Sequence, residues 1–68
     1  MTHNLKDELP EIGKYVMLYY KDKYSGIVDW TYAKLNVKND IELVWKSRTG
    51  REIQFIGSNL IPYEWIGD

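Results

Sequence analysis

The sequence has no cysteine and a single histidine, so it lacks the residues that most often cross-link small proteins or bind metals in them. Without cysteine, a chain of 68 residues has neither a disulfide framework nor a thiolate metal site. A chain of this length buries only about 60% of the surface that its unfolded form exposes. Its stability must therefore come from dense aromatic packing or from self-association.

Long apolar runs are also missing. No stretch approaches the roughly 20 apolar residues of a membrane span, and the first ten residues lack the apolar core of a secretory signal. We therefore expect a cytoplasmic protein with no membrane partner.

Neither sign of charge dominates, because nine basic residues stand against ten acidic ones. Domains that bind duplex DNA usually carry a strong basic surplus, so duplex DNA is not an expected partner. The acidic and basic residues are distributed unevenly along the chain, with a basic excess only over residues 12–38.

The sequence offers little for catalysis. His3 falls in a segment that we expect to fray, and the serines at 25, 47 and 58 lie in turns with no histidine beside them. The five glycines are dispersed rather than gathered in a phosphate loop. We therefore expect a non-enzymatic protein without a metal or a cofactor.

Aromatic residues and short alternating runs are abundant, with three Trp, six Tyr and one Phe. Turn signals containing glycine, asparagine or serine separate the strand-like runs. These runs are residues 14–20, 27–37, 41–47, 51–56 and 60–66. The sequence predicts an all-β domain over residues 14–68, either a four- to five-stranded antiparallel meander or a partly open SH3-like barrel. An N-terminal arm over residues 1–13 is expected to contact the core through Leu5, Leu9 and Ile12.

Alternation divides the predicted strands into two faces. In the run 27–37, Ala33 and Leu35 fall on one face, and Trp30 and Tyr32 fall on the other. The run 14–20 is apolar on both faces, which is typical of a central strand. We expect Trp45 and Trp65 to fill the interior.

The last run contains Pro62. Proline cannot donate a hydrogen bond to a neighbouring strand, so we expect this run to be an edge strand.

Aromatic and cationic side chains around the 21–26 loop form the candidate binding surface. Its members are Tyr20, Lys21, Lys23, Tyr24, Trp30, Tyr32 and Lys34. Aromatics beside cations stack planar rings or anchor a protein interface, and ordinary cross-strand pairs on a solvent face are the alternative of equal weight.

A secondary basic set consists of Lys46, Arg48 and Arg51. These residues would hold phosphates, provided that the neighbouring hairpins bring Lys34 and Lys46 to one face. A solvated, protected sheet edge is the favoured alternative.

The two ends of the sequence resemble a phage and prophage family, domain-of-unknown-function 551. The stretch "LKDELPEIGKYVMLYY" resembles the family's opening, and "YEWIGD" resembles its closing strand. The matched residues are Asp7, Leu9, Pro10, Gly13, Val16, Leu18 and Tyr20, then Tyr63, Glu64 and Trp65. The family's initial Trp and its Met-Pro-Leu-Pro-like tail have no counterpart here. The resemblance implies a small accessory protein of a temperate phage, acting in the bacterial cytoplasm against host defences.

Three functions remain open. The leading hypothesis is a counter-defence inhibitor that blocks a host protein or sequesters a nucleotide-type small molecule. It would act as a homo-oligomer, since one small all-β chain is too shallow to enclose a ligand. The second is a single-strand nucleic-acid binder that uses stacking aromatics, against which the near-neutral charge argues. The third is an assembly protein with self-interaction only.

Overall fold

The structure, a computed structural model, describes residues 1–67 and forms one open antiparallel sheet of six strands without a helix. The strands are β1 (Thr2–Asn4), β2 (Tyr15–Asp22), β3 (Val28–Lys38), β4 (Glu42–Ser47), β5 (Glu52–Ile53) and β6 (Leu60–Ile66). Their order across the sheet is β1-β6-β2-β3-β4-β5. The predicted all-β antiparallel class is confirmed, and β2 to β6 overlap the five predicted runs.

The sixth strand, β1, was not predicted. Its residues pair with β6, with Thr2 opposite Ile66 and His3 opposite Trp65. The His3 ring stacks on the Trp65 ring with centroids 4.2 Å apart, and His3 Nδ1 lies 3.1 Å from Glu8 Oε1. The expectation that His3 frays is therefore wrong, because ring stacking and backbone pairing hold it against the sheet.

The core lies on one face of the sheet, here called the inner face. Strand register places Val16 opposite Ala33 and Leu18 opposite Trp65, and these four residues form a buried cluster. Partly buried hydrophobic side chains pack against the cluster. They are Leu5, Trp45, Ile53 and Phe55. The interior positions predicted for Trp45 and Trp65 are confirmed, with Trp65 only 5% exposed.

The sheet bends so that the chain after β5 approaches β2 on the inner face. The rings of Tyr20 on β2 and Phe55 after β5 lie 5.9 Å apart, although β3 and β4 separate their strands in the sheet. This bend lets a single sheet of short strands enclose a core from one side.

Residues 5–14 close the open side of that core. The indole Nε1 of Trp65 donates a hydrogen bond to the Glu8 carbonyl at 2.9 Å, and the Gly13 amide donates to the Leu35 carbonyl at 2.8 Å. Pro10 between them is buried. We call residues 5–14 the closing segment.

Only one of the three predicted contacts of the arm is made. Leu5 packs on the core, whereas Leu9 and Ile12 are exposed. The hydrogen bonds from the Trp65 indole and the Gly13 amide fix the orientation of the closing segment, and Pro10 takes the buried position in place of its apolar neighbours.

Strand β6 lies between β1 and β2, so the prediction of an edge strand is wrong. Pro62 is tolerated there because β1 pairs only with residues 64–66. On the other side, the pairing with β2 shifts register between Tyr19 and Tyr20, and Pro62 sits at this bulge. A bulge interrupts the ladder where proline would otherwise leave a missing donor.

Candidate ligand-binding face

The face of the sheet opposite the core, here called the outer face, carries the aromatic residues that the core does not use. Register brings Tyr15 beside Lys34, Met17 beside Tyr32, and Tyr19 beside Trp30 across β2 and β3. Side chains of a strand alternate between faces, so these six project away from buried Val16 and Leu18. The face assignments predicted for Trp30, Tyr32, Ala33 and Leu35 of β3 are confirmed.

Three of these aromatic rings are accessible to a ligand. Tyr15, Trp30 and Tyr32 are 43%, 44% and 41% exposed. The Trp30 and Tyr32 rings contact each other edge to face, with centroids 5.2 Å apart and planes at 87°. This contact fixes one ring against the other, so the pair offers ring surfaces at defined positions rather than two independently moving side chains.

Tyr15, Tyr32 and Arg48 line an open depression of about 390 Å³, the Arg48 depression. The guanidinium of Arg48 lies 5.7 Å from the Tyr32 ring centroid, and Lys34 Nζ lies 5.1 Å from the Tyr15 ring centroid. Both distances are within the range of cation–π attraction. Lys34 pairs directly with Lys46 across β3 and β4, which confirms that these two lysines share a face.

A second open depression lies on the outer face near the β2–β3 turn, the Lys21 depression. Its volume is about 520 Å³. The lining residues are Lys21, Lys23, Val28, Ile61 and Tyr63. Register places Lys21 between Val28 on β3 and Ile61 on β6. The lysines thus stand at the rim of an apolar floor.

The β2–β3 turn that carries Lys23 and Tyr24 is held by Asp22. The Asp22 carboxylate accepts hydrogen bonds from the backbone amides of Tyr24 at 2.9 Å and Ser25 at 3.1 Å. These bonds, the one from Ser25 first, hold the pKa of Asp22 below its ordinary value. The turn is therefore ordered by charge-assisted bonds, and Lys23 Nζ lies 5.2 Å from the Tyr24 ring centroid.

Charge is segregated between the two sides of the molecule. The closing segment over the inner face has a balance of −1, with Asp7, Glu8 and Glu11 against Lys6 and Lys14. Cations outnumber carboxylates on the outer face, where Lys38 and Glu52 form an ion pair of 3.1 Å and register also places Glu42 and Glu64. The remaining outer cations are Lys21, Lys34, Lys46 and Arg48. The near-neutral total therefore conceals a locally basic, aromatic surface.

The structure does not bring all predicted site residues together. Lys21, Trp30, Tyr32 and Lys34 share the outer face, and Lys23 reaches its rim. Tyr20 projects to the inner face against Phe55, where burial, and then the Asp29 carboxylate, raise the pKa of its hydroxyl.

The other predicted residues lie in turns or at the edge of this surface. Tyr24 sits in the β2–β3 turn, and Arg51 sits at the end of the β4–β5 turn, where its carbonyl accepts a bond from the Ser47 amide. Of the secondary set, Lys46 and Arg48 join the outer face.

Four residues of the depressions were not predicted as site residues. Tyr15 was identifiable, because alternation puts it on the side of Tyr19. Val28, Ile61 and Tyr63 were not, because the Lys21 depression depends on β6 lying beside β2 and on the bulge at Pro62.

Among residues 1–67, no group of three His, Cys, Asp or Glu side chains is placed to hold a metal ion. The same residues include no helix long and apolar enough to cross a membrane. No protein-family model matches the chain, and neither a curated protein nor a solved structure matches it. The resemblance to the 551 family and the cytoplasmic location both stay predictions.

Proposed function

We propose that the protein acts by binding rather than by catalysis, and that the outer face binds a nucleotide-type ligand. The Arg48 depression is the proposed site. The observation that carries the proposal is the placement of two exposed tyrosine rings beside the guanidinium of Arg48.

Each part of a nucleotide has a matching group at this site. A base is planar and stacks on the exposed rings of Tyr15 and Tyr32. A phosphate accepts hydrogen bonds from the forked guanidinium of Arg48 and is attracted by Lys34 and Lys46. The depression is open, so one copy of the chain covers one side of a bound base.

The openness of the site also supports a homo-oligomer, in which a second copy covers the exposed side of the ligand. Together with the resemblance to the 551 family, the openness of the site leads us to propose a phage accessory protein that acts in the bacterial cytoplasm. There it would counter a host defence by sequestering a nucleotide signal. In a second form of the proposal, the same aromatic face binds a host defence protein and blocks it; we call this the protein-binding form.

The non-enzymatic part of the proposal rests on where the reactive groups lie. His3, the single histidine, is stacked on Trp65 and bonded to Glu8, away from the outer face. The Arg48 depression is lined by two tyrosines and an arginine. None of these three is a usual general base at neutral pH.

The test is a titration of the purified protein with a panel of mononucleotides and cyclic dinucleotides, followed by amide chemical shifts. Binding should shift the signals of Tyr15, Tyr32 and Arg48. Arg48→Ala should weaken binding by roughly tenfold or more, because charge-assisted hydrogen bonds contribute about 1.5–3 kcal/mol each. Lys6→Ala removes the same charge from the closing segment and is the matched control.

Native mass spectrometry of protein purified from a bacterial host identifies the ligand class. Additional mass of a few hundred daltons on a folded species supports nucleotide sequestration, and the mass of a whole host protein supports the protein-binding form. A bare multimer, together with no response to any nucleotide, would contradict the proposal in favour of an assembly protein.

A further inference from the structure

The two depressions lie on one face and are joined by exposed aromatic surface. Val28 lines the Lys21 depression and Tyr32 lines the Arg48 depression, and both belong to β3. Trp30 lies between them on the same side of the strand, in edge-to-face contact with Tyr32. At about 3.3 Å per residue, Val28 and Tyr32 are about 13 Å apart along β3.

Cations stand at both ends of this line and aromatic rings stand between them. Lys21 and Lys23 rim one end. Lys34 and Arg48 lie at the other end, over Tyr15 and Tyr32. A single nucleotide has no use for the second cluster of cations, whereas a chain of nucleotides carries phosphates along its whole length and bases that stack in between.

We propose that the outer face is a track for a single-stranded nucleic acid that runs along β3 from the Arg48 depression to the Lys21 depression. This inference rests on the proposed function, because it makes the nucleotide-binding depression one end of a longer site. The length of the track suits about four nucleotides, the lower end of the site sizes of small β domains.

The distribution of charge over the two faces weakens the sequence-based argument against such a ligand. The closing segment, which covers the opposite face, has three carboxylates against Lys6 and Lys14, whereas cations are in excess on the outer face. A strand lying along β3 meets the lysines and the arginine of the outer face, and Glu64 on β6 is the carboxylate in the row of Trp30 and Tyr19. A duplex presents its bases already stacked and paired, so it cannot use Trp30 and Tyr32 as stacking platforms.

The test compares oligothymidylates of one, two, four and eight nucleotides by quenching of the tryptophan fluorescence, to which Trp30 contributes from the outer face. Affinity should rise at least tenfold from the mononucleotide to the tetranucleotide and then level off. About three phosphate contacts predict a slope near −2 for log affinity against log salt, at about −0.7 per contact.

Two single variants separate the ends of the track. Lys21→Ala should weaken the tetranucleotide about fivefold and leave the mononucleotide unchanged, whereas Arg48→Ala should weaken both. Lys6→Ala, which removes one lysine from the closing segment, should change neither.

If the tetranucleotide binds no tighter than the mononucleotide, or if Lys21→Ala has no effect on it, the track is refuted. If the protein still binds the mononucleotide when the track is refuted, the proposed function is retained. A stable hairpin with an A·T stem that binds as tightly as the single strand would also refute the track, since it would show that the rings do not contribute.

Discussion

Replacing Trp65 with phenylalanine tests whether the closing segment is held mainly by one side chain. The indole of Trp65 lies in the core, stacks on His3 and donates its N–H to the Glu8 carbonyl. Phenylalanine keeps an aromatic ring at this position but has no donor. The variant therefore removes the hydrogen bond and a part of the packing without changing the backbone.

The expected loss follows from these two contributions. A neutral hydrogen bond contributes about 1 kcal/mol. Complete truncation of a buried Trp costs about 3–5 kcal/mol, so removing part of the ring system should cost about 1–2 kcal/mol. The total of about 2–3 kcal/mol is large, because a 68-residue domain has a stability of about 3–10 kcal/mol. The melting temperature should fall by about 10–20 °C.

Urea unfolding measures the global loss, and amide exchange shows where it acts. The Gly13 amide, which donates to the Leu35 carbonyl, reports on the closing segment. In Trp65→Phe its protection should fall more than the protection of the amides in the centre of β3, because the segment loses its attachment before the sheet opens.

Trp45→Phe is the matched control. Trp45 also packs against the core, but within residues 1–67 its indole N–H makes no hydrogen bond to the closing segment. Its replacement should lower the protection of all these amides alike. Equal losses at Gly13 and in β3 for Trp65→Phe would refute the view that Trp65 holds the segment in place.

Three further predictions concern the turns and the outer face. Asp22→Asn should reduce the fall in the free energy of unfolding at acid pH. The lowered pKa of Asp22 stabilises the folded protein above the pKa of the unfolded carboxyl, and this stabilisation is lost as the pH falls through the pKa of the folded state. Urea midpoints at neutral pH and at pH of about 3 check this. Gly50→Ala should cost about 1 kcal/mol in urea unfolding, because Gly50 has a φ of +86° with open space around it. Lys38→Ala should cost less than about 1 kcal/mol, and the loss should shrink in high salt, as expected for a partly exposed ion pair.

Each of these has a clear contradictory outcome. If the fall in stability at acid pH is the same in Asp22→Asn, the hydrogen bonds that Asp22 accepts in the turn do not link its ionisation to folding. Gly50→Asn is the control for the glycine, since asparagine tolerates positive φ better than alanine; equal losses would point to a cause other than backbone strain. A salt-independent loss in Lys38→Ala would indicate lost packing over Val44, which shares the face of the ion pair, rather than lost charge.

Local patterns were sufficient to predict most of the sheet. Alternation in β3 separated Ala33 and Leu35 from Trp30 and Tyr32, because a half-buried strand must satisfy both core and solvent. The glycine-containing turn signals have the same kind of local cause, since Gly50 in the β4–β5 turn has a positive φ that suits glycine.

The predictions that were wrong for β1 and β6 concern contacts between distant parts of the chain. No local signal shows that Thr2–Asn4 pairs with β6 or that His3 stacks on Trp65, and without β1 the last strand looks like an edge. Tyr20 was assigned to the binding surface because it adjoins the 21–26 loop, yet the alternation of β2 already put it on the side of Leu18. Net charge is less informative than these patterns, because a total over the sequence does not show which face each carboxylate occupies.

The pairing of β1 with β6 also bears on the order in which the protein folds. It joins Thr2 to Ile66, whereas β2, β3 and β4 are connected by short turns. Closing a long loop costs more chain entropy than closing a short one, so local hairpins form early and distant pairings form late. The β2–β3–β4 meander should therefore assemble first, with Leu18 and Ala33 still partly uncovered. The core becomes complete only when β6 docks and brings Trp65 with it, and the folding rate should respond to the length of the connection before β6 more than to changes in the β3–β4 turn.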